Sequence, residues 1–213
     1  MSYIEKKITQ FLLAVRPVLQ PVVRFLAALQ MNPNLLTFFS LLLCLIAAFF
    51  FAQGELRFAA VAMLLGGLFD VLDGDVARAA NRTTRFGALF DSVLDRYAEL
   101  ALYFGIGYFF LTNWAFDLRY KTIIFFVVFM AAAGSTMVSY VRARAEGLDI
   151  DCRVGLMQRP ERILLLGFGA LISVKSLLVV LALIALLANF TAVQRVVHVW
   201  KIDRFNNNET AER

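Results

Sequence analysis

Residues 58–95 read FAAVAMLLGGLFDVLDGDVARAANRTTRFGALFDSVLD: an apolar run ending in carboxylates, a polar connection, and a second run beginning with carboxylates. Acidic side chains are costly inside a bilayer and are usually functional there. On a helix, Asp70 and Asp73 share one face because they are three residues apart. The same holds for Asp91 and Asp95, which are four residues apart. Since the connection is short, we expect the two pairs to meet at one edge of the membrane.

The composition is that of a membrane protein. Of the 213 residues, 61% are hydrophobic and 17% are charged, whereas a soluble domain of this size has about a quarter charged residues. A spanning helix needs about 20 apolar residues. Six segments predict spans: residues 35–52, 58–72, 88–111, 122–141, 163–174 and 177–193. The second and fifth segments are short unless their polar ends are also helical, and Lys175 with Ser176 is expected to separate the last two.

The first 30 residues are predicted to lie on the membrane surface. Apolar residues recur there at helical spacing between charged ones: Ile4, Ile8, Phe11, Leu12 and Val15. This pattern is typical of an amphipathic interfacial helix. The predicted fold is therefore an all-α integral membrane protein, with the amphipathic helix in residues 1–30, six transmembrane helices in residues 31–205 and a frayed polar tail in residues 206–213.

Most of the 21 Lys and Arg residues fall on one face if six spans leave both chain ends together. The positive-inside rule assigns that face to the cytoplasm. The opposite face and the span interiors hold the others: Arg57, Arg96, Arg119, Lys121 and Lys175. We therefore expect a multi-pass protein of the cytoplasmic membrane, with the carboxylates facing the cytoplasm. The cations fit topology and anionic lipid, and nucleic acid binding is not expected.

Four converging carboxylates indicate a metal site. Like charges repel strongly where the dielectric constant is low, and hard divalent ions bound through oxygen offset that repulsion. Neither Cys44, Cys152 nor His198 has a spacing that suits a metal, so Mg²⁺ or Mn²⁺ is favoured over Zn²⁺. Two adjacent ions would suit a displacement at phosphorus.

Residues beside the carboxylates suit a phosphate ligand. Gly74 and Gly87 let the backbone approach a ligand closely, and Arg78 can pair with a phosphate oxygen. Thr83, Thr84 and Arg85 add donors. Two alternatives stay open. The aspartates could pair with Arg78, Arg85 and Arg96 in an inert network, or they could relay ions in a transporter. No inverted repeat or broken mid-membrane helix, features often seen in transporters, supports the second alternative.

Eight of these positions follow a known signature. The stretch matches D-x2-D-G-x2-A-R-x8-G-x3-D-x3-D at every fixed position: Asp70, Asp73, Gly74, Ala77, Arg78, Gly87, Asp91 and Asp95. The chain thus resembles the CDP-alcohol phosphotransferase family, and the likeness covers most of its length. The resemblance implies that the four aspartates hold two Mg²⁺ or Mn²⁺ ions and that Asp95 takes the acceptor's proton. It also implies a homodimer.

The same resemblance implies a CDP site. Its residues are Asn34, Thr37, Asp70, Gly74, Ala77, Arg78, Thr84 and Gly87. From the residues alone, Asn34 and Thr37 equally suit a helix N-cap and a first-turn residue.

A second polar set lies at later span ends on the same predicted edge. It comprises the segments Ser139-Tyr140-Val141-Arg142-Ala143-Arg144-Ala145-Glu146, Arg159-Pro160-Glu161-Arg162 and Gln194-Arg195. Such an arginine-rich pocket suits an acceptor that itself carries phosphate. The segments resemble those of phosphatidylinositol phosphate synthases, although Arg142 stands where that family usually has Lys.

The second resemblance implies the acceptor. Four residues are expected to bind the phosphate of inositol 1-phosphate: Ser139, Arg142, Arg162 and Arg195. Arg144, Arg153 and Arg159 are expected to contact solvent or lipid. The implied reaction moves a phosphatidyl or archaetidyl group from CDP-diacylglycerol or a CDP-archaeol type of lipid to inositol 1-phosphate and releases CMP. Glycerol 3-phosphate as acceptor and CDP-inositol as donor remain alternatives.

Overall fold

The computed structural model describes residues 17–113 and 115–211, with side chains as far as Arg204. All regular structure in these ranges is helical, which confirms the all-α class. The helices are α1 Pro17–Ala28, α2 Pro33–Ala52, α3 Leu56–Ala79, α4 Arg85–Thr112, α5 Leu118–Glu146, α6 Arg159–Ile172 and α7 Val174–Ala211. The amphipathic pattern predicted for residues 4–15 lies outside the described residues.

Within the described residues, three helices are long and apolar enough to cross a membrane: α2, α5 and α7 as far as Arg204. Helices α3 and α4 have 24 and 28 residues and contain the charged stretch. In α3 the polar end is helical through Arg78, so this helix is longer than the minimum of about 20 residues that a span needs. Helix α6 also includes its polar start, Arg159-Pro160, but has only 14 residues.

One predicted boundary was wrong. The break between α6 and α7 lies at Ser173, which is extended, whereas Lys175 and Ser176 belong to the first turn of α7. Helix α7 continues to Ala211, into the predicted polar tail; that this tail frays stays a prediction.

Helices α2 to α7 pack as two groups of three, and Val23 of α1 packs against Leu36, Leu72 and Val76 of the first group. Helix α2 contacts α3 and α4, and α7 contacts α5 and α6. Contacts of α3 with α6 and of α4 with α5 join the groups. Small residues permit the closest approaches. A Cβ on Gly105 would lie 2.2 Å from the Ala48 carbonyl oxygen, and one on Gly134 would lie 2.5 Å from Nδ2 of Asn189.

The turn between α3 and α4 sets the position of the carboxylate stretch. Asn81 reverses the chain in the left-handed region, with φ of 52°. Arg82 then donates through Nη1 to the Gln30 carbonyl oxygen at 2.8 Å, which ties this turn to the end of α1. Thr84 caps α4 by accepting a hydrogen bond from the Gly87 amide at 2.9 Å. The turn therefore places the polar end of α3 beside the first turns of α4.

Candidate active site

The carboxylates of α3 and α4 meet as the spacing predicts. One oxygen each from Asp70, Asp91 and Asp95 lies within 4.8 Å of the others. Asp73 lies one turn along α3 from Asp70 and is 6% exposed. It lines a cavity together with Asp91. The four side chains therefore form a continuous acidic cluster at the end of the helix pair.

The donor set fits a hard divalent cation. Oδ2 of Asp73 and Oδ1 of Asp91 are buried and accept no hydrogen bond from the described residues. Buried polar atoms are normally paired, so these two oxygens suit cation ligands. A set made only of carboxylate oxygens favours Mg²⁺ or Mn²⁺ over softer metals.

A glycine-lined cavity of about 200 Å³ opens on one side of the cluster, between α2, α3 and α4. It is lined by every residue predicted to contact CDP except Asp70: Asn34, Thr37, Gly74, Ala77, Arg78, Thr84 and Gly87. Asp73 and Asp91 form its border with the cluster. Asp70 lies on the other side of the cluster instead.

Local structure leaves the polar atoms of this cavity close together. The N-cap of α2 is Asn32, which accepts from the Asn34 amide at 3.0 Å, so Asn34 is not the cap. Thr37 is the fifth residue of α2, past the first turn that was predicted for it, and it donates to the Pro33 carbonyl oxygen at 3.2 Å. A Cβ on Gly87 would lie 3.3 Å from Oδ1 of Asn34. Glycine there keeps space between α2 and α4.

Arg78 lies over Gly74 at the rim of the glycine-lined cavity. A Cβ on Gly74 would lie 3.4 Å from the Arg78 guanidinium. That guanidinium pairs with Asp75 rather than with a signature aspartate, and its side chain is 60% exposed. It is therefore free to reach an anionic ligand at little cost, because an exposed ion pair is worth roughly 0–1 kcal/mol.

An arginine-lined cavity of about 350 Å³ opens on the other side of the cluster. Asp70 and Asp95 border it. All four residues predicted to bind the acceptor phosphate line it: Ser139, Arg142, Arg162 and Arg195. Helices α3 to α7 all contribute to its wall, so three distant sequence segments converge as predicted.

The two buried arginines among these residues, Arg162 and Arg195, already have hydrogen-bond partners within the protein. Arg162 is fully buried and donates to both carboxylate oxygens of Glu99, at 2.6 and 2.9 Å, and to the Met157 carbonyl oxygen at 3.0 Å. Arg195 donates to the carbonyl oxygens of Val138 and Val154.

Arg142 is the most accessible of the predicted phosphate ligands. Its side chain is 42% exposed and pairs with Glu146 at 2.8 Å, one turn along α5. Ser139, one turn before it, is part-buried, and its hydroxyl lies 3.5 Å from the Ser135 carbonyl oxygen. Residues 139 and 142 therefore leave donors near the cavity opening.

The prediction for Arg159 was wrong. Its side chain is only 13% exposed, and it donates to Asp70 at 2.6 Å and to Asp95 at 2.8 Å. Arg144 and Arg153 are exposed, as expected. The spacing of Arg159 and Arg162, three residues apart, carried the missed signal, because it puts both guanidiniums on one face of α6.

Glu99 was also missed as part of the site. It follows Asp95 by four residues and therefore extends the acidic face of α4 by one turn. Its charge holds Arg162 at the base of the arginine-lined cavity. The sequence shows the i,i+4 series of residues 91, 95 and 99, but not which cation would meet its last member.

The family model for CDP-alcohol phosphatidyltransferases matches residues 30–202. The chain therefore belongs to the CDP-alcohol phosphatidyltransferase family and is a transferase. The match includes the whole acidic cluster and the residues lining both cavities.

Several relatives are named inositol phosphate synthases. The archaetidylinositol phosphate synthase of Methanothermobacter thermautotrophicus is 33% identical over 201 residues, covering 92% of this chain and 96% of that protein. The phosphatidylinositol phosphate synthase of Corynebacterium glutamicum is 33% identical over 189 residues, covering 86% of this chain and 84% of that protein.

Solved structures give the same likeness. The crystal structure of Mycobacterium tuberculosis phosphatidylinositol phosphate synthase with CDP-DAG bound has a TM-score of 0.74 and 28% identity, covering 84% of this chain and 92% of that one. The same enzyme in complex with manganese and citrate has a TM-score of 0.74 and 29% identity, covering 84% of this chain and 88% of that one.

Proposed function

We propose that this transferase moves a phosphatidyl or archaetidyl group from a CDP-lipid to inositol 1-phosphate and releases CMP. The observation that carries the proposal is the position of the acidic cluster between two unlike cavities. One cavity offers glycines and capping residues to a nucleotide diphosphate. The other offers several arginines to a second, phosphorylated substrate.

The glycine-lined cavity is assigned to the CDP moiety. Gly74 and Gly87 leave room for backbone to approach the diphosphate, since a side chain at either position would fill the space. Asn34, Thr37 and Thr84 supply polar atoms at the ends of α2 and α4. With Asp70 bordering the other cavity, its assigned CDP role reduces to a ligand of the metal that the diphosphate shares.

Asp70, Asp73, Asp91 and Asp95 would hold Mg²⁺ or Mn²⁺, which would supply charge neutralisation at the diphosphate and at the leaving CMP. Asp95 borders the arginine-lined cavity, where it is placed to take the proton of the attacking acceptor hydroxyl. The oxygen of that hydroxyl then forms a bond to the lipid-linked phosphorus, and the bond from that phosphorus to CMP breaks. Positioning and charge stabilisation dominate such displacements.

The arginine-lined cavity is assigned to the acceptor phosphate. Arg142 and Ser139 are assigned to contact the acceptor phosphate near the opening of the cavity. Arg162 and Arg195 form part of the cavity wall. Arginine suits this task because its planar guanidinium pairs with two phosphate oxygens at once. Neutral acceptors need less positive charge than this cavity contains.

The finer topology belongs to the same proposal. Helices α2 to α7 make the six spans. Helix α6 is too short to cross the bilayer by its own length, and neighbouring helices of the protein cover the rest of that path. Helix α1 lies in the membrane interface, and the acidic cluster faces the cytoplasm. Two copies form a homodimer.

The test uses the purified full-length chain with CDP-diacylglycerol or a CDP-archaeol lipid, Mg²⁺ and a panel of acceptors. Inositol 1-phosphate should release CMP, and free inositol, its matched control, should release far less. Preferred release with glycerol 3-phosphate would replace the acceptor but keep the reaction class. CMP release in EDTA at the full rate would contradict the metal site.

A further inference from the structure

Arg159 occupies the position that a cation needs. It is the first residue of α6, and its guanidinium bridges Asp70 of α3 and Asp95 of α4 at 2.6 and 2.8 Å. Both acids are among the proposed metal ligands. Asp73 and Asp91, which Arg159 does not reach, have the oxygens that accept no hydrogen bond from the described chain. Arg159 therefore bridges half of the acidic cluster, and Arg96 adds a single contact with Asp95 at 3.3 Å.

A divalent ion and this guanidinium compete for the same oxygens. An ion shared by Asp70, Asp91 and Asp95 takes carboxylate oxygens at about 2.0–2.6 Å. Two of those carboxylates are the ones that Arg159 uses. Cations held this close repel each other strongly in a medium of reduced dielectric. Binding of the ion therefore weakens both contacts of Arg159.

The guanidinium has somewhere to go. Arg159 lines the arginine-lined cavity, so rotation of its side chain carries the charge into an open space of about 350 Å³. Its two carboxylate contacts leave Nε buried and, within the described chain, without a hydrogen-bond partner. By contrast, Glu99 and Met157 hold Arg162 by three hydrogen bonds, and the backbone holds Arg195. Arg96 also contacts Asp95, at 3.3 Å, but its side chain is 28% exposed and reaches one carboxylate only. Arg159 is thus the arginine that, within the described chain, bridges two of the proposed metal ligands.

We propose that Arg159 is a positioning residue that holds Asp70 and Asp95 in the metal-free protein and turns into the arginine-lined cavity when the metal binds. There it adds its charge to the site of the acceptor phosphate. Metal binding then prepares the acceptor site, because the Arg159 guanidinium that the metal displaces becomes available to the acceptor phosphate. This inference rests on the proposed function.

Mn²⁺ affinity of the substrate-free full-length protein tests the competition. Measured by Mn²⁺ electron paramagnetic resonance, Arg159→Gln should bind Mn²⁺ about tenfold more tightly than the wild type, because the competing charge is gone. Arg153→Gln is the matched control, since Arg153 is 76% exposed and pairs with Asp151 at the surface, away from the acidic cluster. It should bind Mn²⁺ as the wild type does. Unchanged or weaker Mn²⁺ binding in folded Arg159→Gln contradicts the inference.

A second variant covers the case in which Arg159→Gln does not fold. The ammonium of Arg159→Lys is a single point that cannot bridge two carboxylates as a planar guanidinium does. Its Mn²⁺ affinity should therefore lie between those of the wild type and the Gln variant. A Lys variant with wild-type affinity contradicts the inference.

Two kinetic readouts separate this role from a purely structural one. Arg159→Gln should raise the KM for inositol 1-phosphate about tenfold while the KM for the CDP-lipid stays within twofold. Wild-type protein that binds no Mn²⁺ and releases no CMP contradicts the proposed function. Wild-type protein that does both, with no change in Mn²⁺ affinity on substitution of Arg159, contradicts only the role of Arg159.

Discussion

The two cavities beside the acidic cluster differ in how their polar groups are held. The glycine-lined cavity is built from glycines and from polar residues near the starts of α2 and α4, on three helices that follow one another in the chain. The arginine-lined cavity draws on five helices, and its buried arginines are each tied to a carboxylate or to carbonyl oxygens. Ligand binding in the glycine-lined cavity depends on open space, and ligand binding in the arginine-lined cavity depends on paired opposite charges.

This difference has a physical cause. The metal that the acidic cluster would hold offsets the charge of a nucleotide diphosphate, so the cavity for the diphosphate needs room and a few hydrogen-bonding groups. A phosphorylated acceptor brings only negative charge, so its cavity must supply cations. Buried cations are costly unless they are paired. Glu99, Asp70 and Asp95 supply the counter-charges before a substrate arrives.

The largest loss of activity is expected on substitution of Asp95, the proposed base. Asp95→Asn removes the proposed base and should lower kcat for CMP release by about 10²–10⁴-fold. The KM for the CDP-lipid should change little, because Asp95 lies outside the glycine-lined cavity. A variant that elutes as the wild type does in size-exclusion chromatography and retains more than a tenth of the activity would remove Asp95 from this role.

The next effect separates a buried ion pair from an exposed one. Glu99→Gln leaves the Arg162 charge buried without its counter-ion and should lower the free energy of unfolding by about 3–5 kcal/mol. Glu146→Gln breaks the half-exposed pair with Arg142 and should cost less than about 1 kcal/mol. Denaturant unfolding in mixed micelles measures both. Equal losses would mean that the arginine-lined cavity does not depend on matched charge.

A pair of substitutions tests whether the two cavities serve different substrates. Gly87→Ala places a Cβ 2.9 Å from the Thr84 hydroxyl and should raise the KM for the CDP-lipid about tenfold. Arg142→Gln removes an accessible cation and should raise the KM for inositol 1-phosphate by a similar factor. Each variant should leave the other KM within twofold, as measured by CMP release. Crossed effects would contradict the assignment of the cavities.

The smallest effect is expected at the surface. Arg153→Gln removes an exposed ion pair with Asp151 at 3.3 Å, and such pairs contribute roughly 0–1 kcal/mol. Both KM values and kcat should stay within twofold of the wild type. A larger change in the KM for inositol 1-phosphate would extend the acceptor site beyond the arginine-lined cavity.

The sequence predicted the glycine-lined cavity well, since short spacings encode it. Asp73 and Ala77, four residues apart, share a helix face by periodicity alone and both line this cavity. One short turn brings α4 alongside α3. The same local rules did not identify Asn32 as the cap of α2, because Asn32 and Asn34 are equally good capping types.

The arginine-lined cavity was predicted only in outline. Its three segments could be assigned to one edge from span order, but the partners of individual arginines depend on where α6 approaches α3 and α4. No local pattern encodes that approach. Arg159 therefore looked like a surface cation, and Glu99 looked like an isolated acid within a span.

The most direct test of the account is a crystal structure of the wild-type protein with Mn²⁺, with the anomalous signal of the metal used to locate it. The account predicts anomalous peaks at roughly 2.1 Å from carboxylate oxygens of both α3 and α4, among Asp70, Asp73, Asp91 and Asp95. It also predicts that the Arg159 guanidinium no longer bridges Asp70 and Asp95. Peaks held by the acids of one helix only, or absent from the cluster, would contradict it.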